Sequence, residues 1–530
     1  MTCRAGTGVR SAIVLFIAMI AVAPAQGDET GTSHSEDLGD ALGQMLEEPS
    51  EPAEVVLTSS CAQGACCSKC GDCGCDSCAS CCKKKAKPNP CATSHKPLFY
   101  TNDFSYLDQR SYNGNCLGDR LKRNALGQCG RWGMLDIGGQ IRMRYHHEEG
   151  MGQDIAGAGT RRFEDTEHDF ELSRVRLYSD WRANDWLRIY TEGIVSHAIY
   201  DRSEYKPRAI DRNFGDFLNV FADLKLTDQA TVRIGRQELL YGAQRLVSPL
   251  DWANTRRTFE GAKLLLKGGA WDVDLFYTHF VPVVPNDLDE ADYDQPFYGC
   301  WTTYRGWEDT TLEMFYLGYD NQNPSGPVIA TGDFSLHTVG ARLHGTVNSW
   351  LFDLQGGPQF GRQSGLGVDH SATFATGGMG HAVGKESWKM TLWCYYDYAS
   401  GNAGGGDFNR FNQLFPLAHK YLGFIDAVQR SNVEAPNALL TFSPSKKVKV
   451  LMWYWHFMAN QAGDIVPSIG GTPTQSLSSK DLGDELDLIL SYRIGPRSNV
   501  LLGYSHFWRG NKITAPNDAD FIYGEWGVNF

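Results

Sequence analysis

The residues best suited to chemistry crowd into one short stretch: Cys61, Cys66, Cys67, Cys70, Cys73, Cys75, Cys78, Cys81, Cys82 and Cys91. Thiolates at C-x-x-C spacing, as in Cys67/Cys70/Cys73 and Cys75/Cys78/Cys81, hold zinc or an iron–sulfur cluster in a reducing compartment and pair as disulfides after export. His95 is the one nearby histidine, which weakens a mixed Cys/His zinc site. Disulfide cross-linking, metal binding and no defined role all stay open, export favours the first, and connectivity is not assignable from spacing. Cys116 and Cys129 are candidates for one further bridge, whereas Cys300 and Cys394 are expected to stay unpaired. His146-His147-Glu148-Glu149 offers metal ligands, though a solvated loop is the plainer reading.

Enzyme motifs are missing. The chain carries no G-x-S-x-G elbow, no H-E-x-x-H and no Gly-rich phosphate loop. Gly377-Gly378-Met379-Gly380 and Gly404-Gly405-Gly406 read as loop glycines. Ser505-His506 lies in a strand pattern, where neighbours point to opposite faces and cannot act together. No catalytic residue, metal or cofactor is assigned.

The elements that must position any site begin with an export signal. Arg4 and Arg10 precede an apolar run from Ala12 to Val22, followed by Ala23-Pro24-Ala25. This reads as a signal peptide over residues 1–25, cut after Ala25. The run is short for an uncleaved anchor, and Cys3 lies upstream of it, out of place for lipid attachment. Residues 26–60 carry nine carboxylates, among them Asp28, Glu36 and Glu47, and no Lys or Arg. They read as a disordered acidic segment, followed by a Cys-rich segment over 61–95 and a linker over 96–132. That segment holds most of the formal charge of −13. The remainder is only mildly acidic and lacks the basic face that nucleic-acid binding needs.

From about residue 133 to the end, the text repeats segments of about ten residues with strict alternation. Leu135, Ile137, Ile141, Met143 and Tyr145 alternate with Asp136, Gln140, Arg142 and Arg144. The pattern returns at Val175/Leu177/Trp181 against Arg174/Arg176/Asp180, at Leu187/Ile189/Val195 against Arg188/Glu192, and at Leu218/Val220/Leu224 against Asn219/Asp223/Lys225. Trp271/Val273/Leu275/Tyr277, Leu451/Trp453/Trp455/Phe457 and Leu486/Leu488/Leu490/Tyr492 supply further apolar faces. Sixteen to eighteen such segments fit tilted crossings of a bilayer better than the strands of a soluble sandwich. Aromatics near segment ends, such as Trp186, Trp350, Trp388 and Trp508, suit an interfacial girdle. The last segment places Ile522, Trp526, Val528 and Phe530 on one face, resembling the final strand that barrel-assembly machinery reads. The expected fold is all-β, a transmembrane antiparallel barrel of about eighteen strands over residues 133–530.

One stretch is more specific: Arg233-Ile234-Gly235-Arg236-Gln237-Glu238-Leu239-Leu240-Tyr241-Gly242, then Gln244-Arg245-Leu246-Val247, then Asn254-Thr255-Arg256-Arg257-Thr258-Phe259-Glu260-Gly261. It resembles the alginate-export family of outer-membrane channels. His337–Leu343, Asp397–Asn402, Asn409–Pro416 and Gly483–Leu488 continue the likeness in the same order. The resemblance implies an eighteen-stranded barrel in the outer membrane, with an electropositive lumen narrowed by loops, through which an acidic polysaccharide such as alginate passes. The residues agree on sign. Arg142, Arg144, Arg174, Arg176, Arg188, Arg233 and Arg342 are pore-lining candidates, with Arg236, Arg245, Arg256 and Arg257 from the family stretch. Asp223, Glu238, Glu260 and Asp487 are expected to hold them in place. Arginines that only support a solvated barrel wall are the bland reading for any single residue. Expected partners are an anionic solute, outer-membrane lipid, assembly machinery acting through Phe530, and periplasmic or surface partners of the Cys-rich segment. Two other functions fit the same text: a general or nutrient-uptake porin, and a non-conducting surface protein cross-linked through its cysteines.

Overall fold

A computed structural model describes Cys91 and residues 95–530, apart from 110–111, 113, 115, 153–160, 202–204, 324–331, 384–387 and 470. The expected signal peptide, the acidic segment and Cys61–Cys82 lie outside the described residues.

Strands dominate. After a two-residue strand β1 (Asn124–Ala125) come β2 (Met134–Gly152), β3 (Arg161–Arg182), β4 (Leu187–Tyr200), β5 (Asn213–Thr227), β6 (Ala230–Gln237), β7 (Thr258–Gly268), β8 (Trp271–Val281), β9 (Pro296–Trp307) and β10 (Thr310–Asn321). The second half holds β11 (Phe334–Val347), β12 (Trp350–Gln363), β13 (Val368–Val383), β14 (Met390–Ala399), β15 (Val433–Ser445), β16 (Val448–Ala459), β17 (Asp481–Gly495), β18 (Ser498–Arg509) and β19 (Ala519–Asn529). Each of β2 to β19 pairs antiparallel with its neighbours, and β19 closes on β2 through Val528↔Ile141, Glu525↔Arg144 and Asp520↔Glu149. The result is an eighteen-stranded cylinder without a free edge, which satisfies every ladder donor inside a bilayer. Among the described residues, no helix is long and apolar enough to cross a membrane.

The two ends differ. One is joined by tight turns at 228–229, 269–270, 308–309, 348–349, 446–447 and 496–497. At the turn 348–349, Asn348 and Ser349 both take positive φ, the geometry that matches strand twist in two-residue hairpins. The other end carries long connections, including 238–257, 282–295, 400–432 and 460–480. In outer-membrane barrels the short turns face the periplasm.

Alternation is visible in the burial. Met143, Tyr145, Val175 and Leu177 point outward, while Arg142, Arg144, Arg174 and Arg176 are buried. Leu486, Leu488, Leu490 and Tyr492 likewise sit on the outer face of β17, opposite buried Glu485 and Asp487.

Several local expectations are corrected. On β16 the aromatic face Trp453, Trp455 and Phe457 points inward with Leu451, and Met452 and Tyr454 meet the outside. Both faces of this strand are apolar, because the bore beside it is filled by the apolar loop residues Leu422, Phe424 and Ile425. Leu218 is buried because register shifts between β4 and β5 turn it away from the outward Val220. Gly377–Gly380 lie within β13 rather than in a loop, and a Cβ at Gly378 or Gly380 would strike the rings of Tyr395 or Trp393. His146–Glu149 belong to β2, so they alternate: His146 and Glu148 are buried, while His147 and Glu149 face out beside Glu167. Cys116 bridges Cys91 instead of Cys129. Cys300 and Cys394 take part in no disulfide among the described residues.

Candidate functional site: an arginine ladder in the lumen

The interior is not an open pipe. Loop 238–257 folds into the barrel and is pinned to the wall at two levels. From β2 and β3, three arginines converge on oxygens of residues 251–254. Arg142 Nη1 donates to the Asp251 carbonyl at 2.8 Å and Arg144 Nη2 to the Trp252 carbonyl at 3.0 Å. Arg174 Nη1 reaches the Asp251 and Ala253 carbonyls, both at 3.1 Å, and its Nη2 meets the Asp251 carboxylate at 2.8 Å. The Arg144 guanidinium also lies 3.7 Å from the centre of the Trp252 ring. Across the bore, Arg245 of the loop donates to Asp353 of β12 at 2.7 Å, and Asp353 accepts from Arg342 of β11 at 2.8 Å.

Below this level the ladder continues toward the short turns. Arg176 pairs with Glu192 at 2.7 Å, and Arg256 of the loop pairs with Glu238 and Asp251. Arg188 bridges Asp180 and Asp223, and Arg233 grips Asp223 at 2.7 and 2.9 Å. Buried guanidiniums are tolerable because each has a carboxylate or several carbonyls. Arg257 donates to the Ser248 and Pro416 carbonyls, so it staples loop 238–257 to loop 400–432. Loop 400–432 adds Lys420 and His419 to a pocket that also meets Arg142, Trp252, Tyr523 and Glu525.

Nine of the fifteen expected pore residues therefore form one connected network with this loop: Arg142, Arg144, Arg174, Arg176, Arg245, Arg256, Arg257, Arg342 and Glu238. Arg188, Arg233 and Asp223 form its lower rung. Asp487 sits apart on β17, buried beside Glu485 and accepting from the Trp455 indole at 3.1 Å. Arg236 and Glu260 are on the other face. The register opposes Val220, Arg236 and Glu260 across β5, β6 and β7, and Val220 is exposed on the outside. Period two puts Arg233 and Arg236 on opposite faces. The bore is also less cationic than expected, because carboxylates neutralise most of the ladder. Residues that the sequence reading did not single out complete it. Glu525 and Asp353 were legible, being out of phase with Ile522 and Trp526 and with Phe352 and Leu354; Asp251 and Trp252, in the loop, carried no periodic signal.

A third piece enters from the short-turn end. Within residues 96–132, expected as a linker, Phe99, Tyr100, Phe104, Tyr106 and Lys122 are buried. Phe99 and Tyr100 are buried among Tyr178, Tyr190 and Phe221, lining the bore between β3 and β5. Lys122 donates to the Ile137 carbonyl at 2.5 Å and the Phe530 carbonyl at 3.1 Å, beneath the Phe104 and Tyr178 rings. Burial, reinforced by Arg497 and offset by Asp136 and Asp119, pushes this ammonium down to about 7. His95, buried nearby, is pushed below its ordinary value by burial, then by Arg497 and Lys122. A released Lys122 would titrate near its ordinary ~10.4, so between about 7 and ~10.4 the released segment binds the extra proton. Seating should therefore tighten as pH rises through that window and be weakest below it. Protease cleavage within residues 95–130 is expected to slow from about pH 6 to about pH 9, and Lys122→Met should flatten the change. Cleavage that speeds up with rising pH would refute this.

A closed barrel of eighteen strands, apolar outside and polar inside, with loops folded into the bore, is the build of an outer-membrane channel. The alginate export family model matches residues 134–523, and the chain belongs to that family. Among solved structures, Pseudomonas aeruginosa OccK8 (OprE) is similar at 13% identity and TM-score 0.51, over 75% of this chain and 98% of that one. Pseudomonas aeruginosa OccK2 (OpdF), solved in complex with glucuronate, is similar at 13% identity and TM-score 0.51, over 75% of this chain and 96% of that one. At this identity the two share the barrel architecture. No curated protein matches the chain.

Proposed function

We propose that this barrel passes an acidic polysaccharide or its fragments, uronate chains of the alginate type, and performs no chemistry of its own. The observation that carries the reading is the convergence of Arg142, Arg144 and Arg174 on the oxygens of residues 251–254. Guanidiniums arranged to hold a row of carbonyl and carboxylate oxygens are equally suited to the carboxylates and hydroxyls of a uronate chain. A solute would exchange with the loop oxygens, leaving the wall arginines in place and their partners Glu192 and Glu525 to keep binding from becoming too tight to release. The same proposal includes removal of residues 1–25 before assembly and recognition of the β19 strand ending in Phe530.

Planar-lipid recordings test this. Oligouronates are expected to interrupt the current at concentrations at least tenfold below those at which neutral oligosaccharides of equal length do so. Equal block by both would overturn the acidic-solute reading and favour a general porin. The filled lumen supports one second reading, a non-conducting surface protein, for which the same recordings should stay silent.

A further inference from the structure

We propose that residues 97–106 are a plug seated in the short-turn end of the channel, and that solute passes only when this plug withdraws. The inference rests on the channel reading above and concerns its regulation. The plug occupies the lower rung of the ladder. Arg188 Nη2 donates to the Tyr100 carbonyl at 2.6 Å, and Arg256 Nη2 to the Pro97 carbonyl at 3.3 Å. The Arg176 guanidinium stands 4.0 Å from the centre of the Phe99 ring, and that of Arg233 4.5 Å from the Tyr100 ring. The Tyr100 hydroxyl donates to the Glu238 carbonyl at 2.9 Å, tying the plug to the inward loop. Oxygens and π faces thus cover the guanidiniums that an anion entering from this end would meet first.

The seat is separable from the wall. The backbone–backbone hydrogen bonds of residues 97–106 are local, as in Thr101 N to Leu98 O, Asn102 N to Phe99 O and Gln109 N to Tyr106 O, so the plug adds no rung to the strand ladder. Side chains hold it instead. Arg497, in the turn between β17 and β18, reaches the Tyr106 hydroxyl at 2.8 Å, Asp119 at 3.2 Å and the Leu117 carbonyl. The Cys91–Cys116 disulfide then ties the chain before the plug to the chain after it, making the inserted residues a closed loop. Such a loop can leave the bore without breaking any β-sheet pairing.

The test compares single-channel currents in planar lipid for the full exported chain, for Phe99→Ala/Tyr100→Ala and for Cys116→Ser. Altered mobility of unheated samples in detergent gels confirms a closed barrel in each. The double variant removes the seat, and its steps are expected to be at least threefold larger than those of the parent. Cys116→Ser keeps every plug contact and opens the closed loop, so its open time is expected to lengthen at least threefold. Steps and open times equal in all three, with the parent already conducting, overturn the plug and leave the channel standing. Silence from all three overturns the channel reading and the plug together.

Discussion

Replacing Asp353 with alanine is expected to destabilise the seating of loop 238–257 by about 3–5 kcal/mol, the usual cost of removing one partner from a buried ion network. Asp353 lies between Arg245 of the loop and Arg342 of the wall, at 2.7 and 2.8 Å, and all three are buried. Without it, Arg342 keeps Glu313 at 3.0 Å, but Arg245 keeps no carboxylate, only the amide oxygen of Gln355 at 3.3 Å and the Tyr421 ring at 4.9 Å. A guanidinium in that position must find another partner or leave, and leaving means that the loop lifts. Hydrogen exchange across residues 240–250 should accelerate by two orders of magnitude or more, while exchange in β11 and β12 stays slow. A double-mutant cycle with Arg245→Met should show coupling, the second substitution costing far less than the first. If Asp353→Ala left exchange in the loop unchanged, Arg245 would not be its anchor.

That anchor shows where the sequence was legible and where it was not. Strand number, closure and the inward arginines of β2, β3 and β4 follow from period two, because one wall faces lipid and the other does not. The same arithmetic puts Arg236 outside once Arg233 is inside. Periodicity fails where the bore is filled by protein. On β16 the inner face is as apolar as the outer one, since Trp455 and Trp453 pack beneath an apolar loop. Loop 238–257 has no period. Gly242 and Pro249 mark it as a break in the strand pattern, but do not show that Arg245 faces Asp353 or that Asp251 sits under Arg174. Such pairings join residues 108 and 77 positions apart, and only the closed cylinder brings them together. The packing of Phe99 and Tyr100 was hidden for a related reason: two aromatics in a polar stretch resemble a linker until the ring of Tyr178, Tyr190 and Phe221 exists to receive them.

The other large effect concerns charge. Arg142 and Arg144 share one carboxylate, Glu525, at 3.6 and 3.4 Å, so this level of the wall has an excess of positive charge. Arg142→Gln/Arg144→Gln would leave Glu525 without a paired cation, Arg174 at the same level being matched by Asp251. At roughly 8 Å and an effective dielectric near ~40, each unit charge is worth about 1 kcal/mol to a passing ion. Removing two cations raises the barrier for anions and lowers it for cations, so the anion-to-cation permeability ratio is expected to fall about tenfold or more at low salt. At about 1 M salt, where screening acts within ~3 Å, most of the difference should vanish. Two controls separate charge from loop release. Asp353→Ala frees the same loop while leaving Arg142 and Arg144 in place, so its currents should grow without the loss of anion preference. Arg236→Gln changes charge on the outer face, beside Glu260, and should leave the ratio as it is. A ratio that falls equally in the double variant and in Arg236→Gln would mean that the wall arginines of β2 do not face the path of the ions.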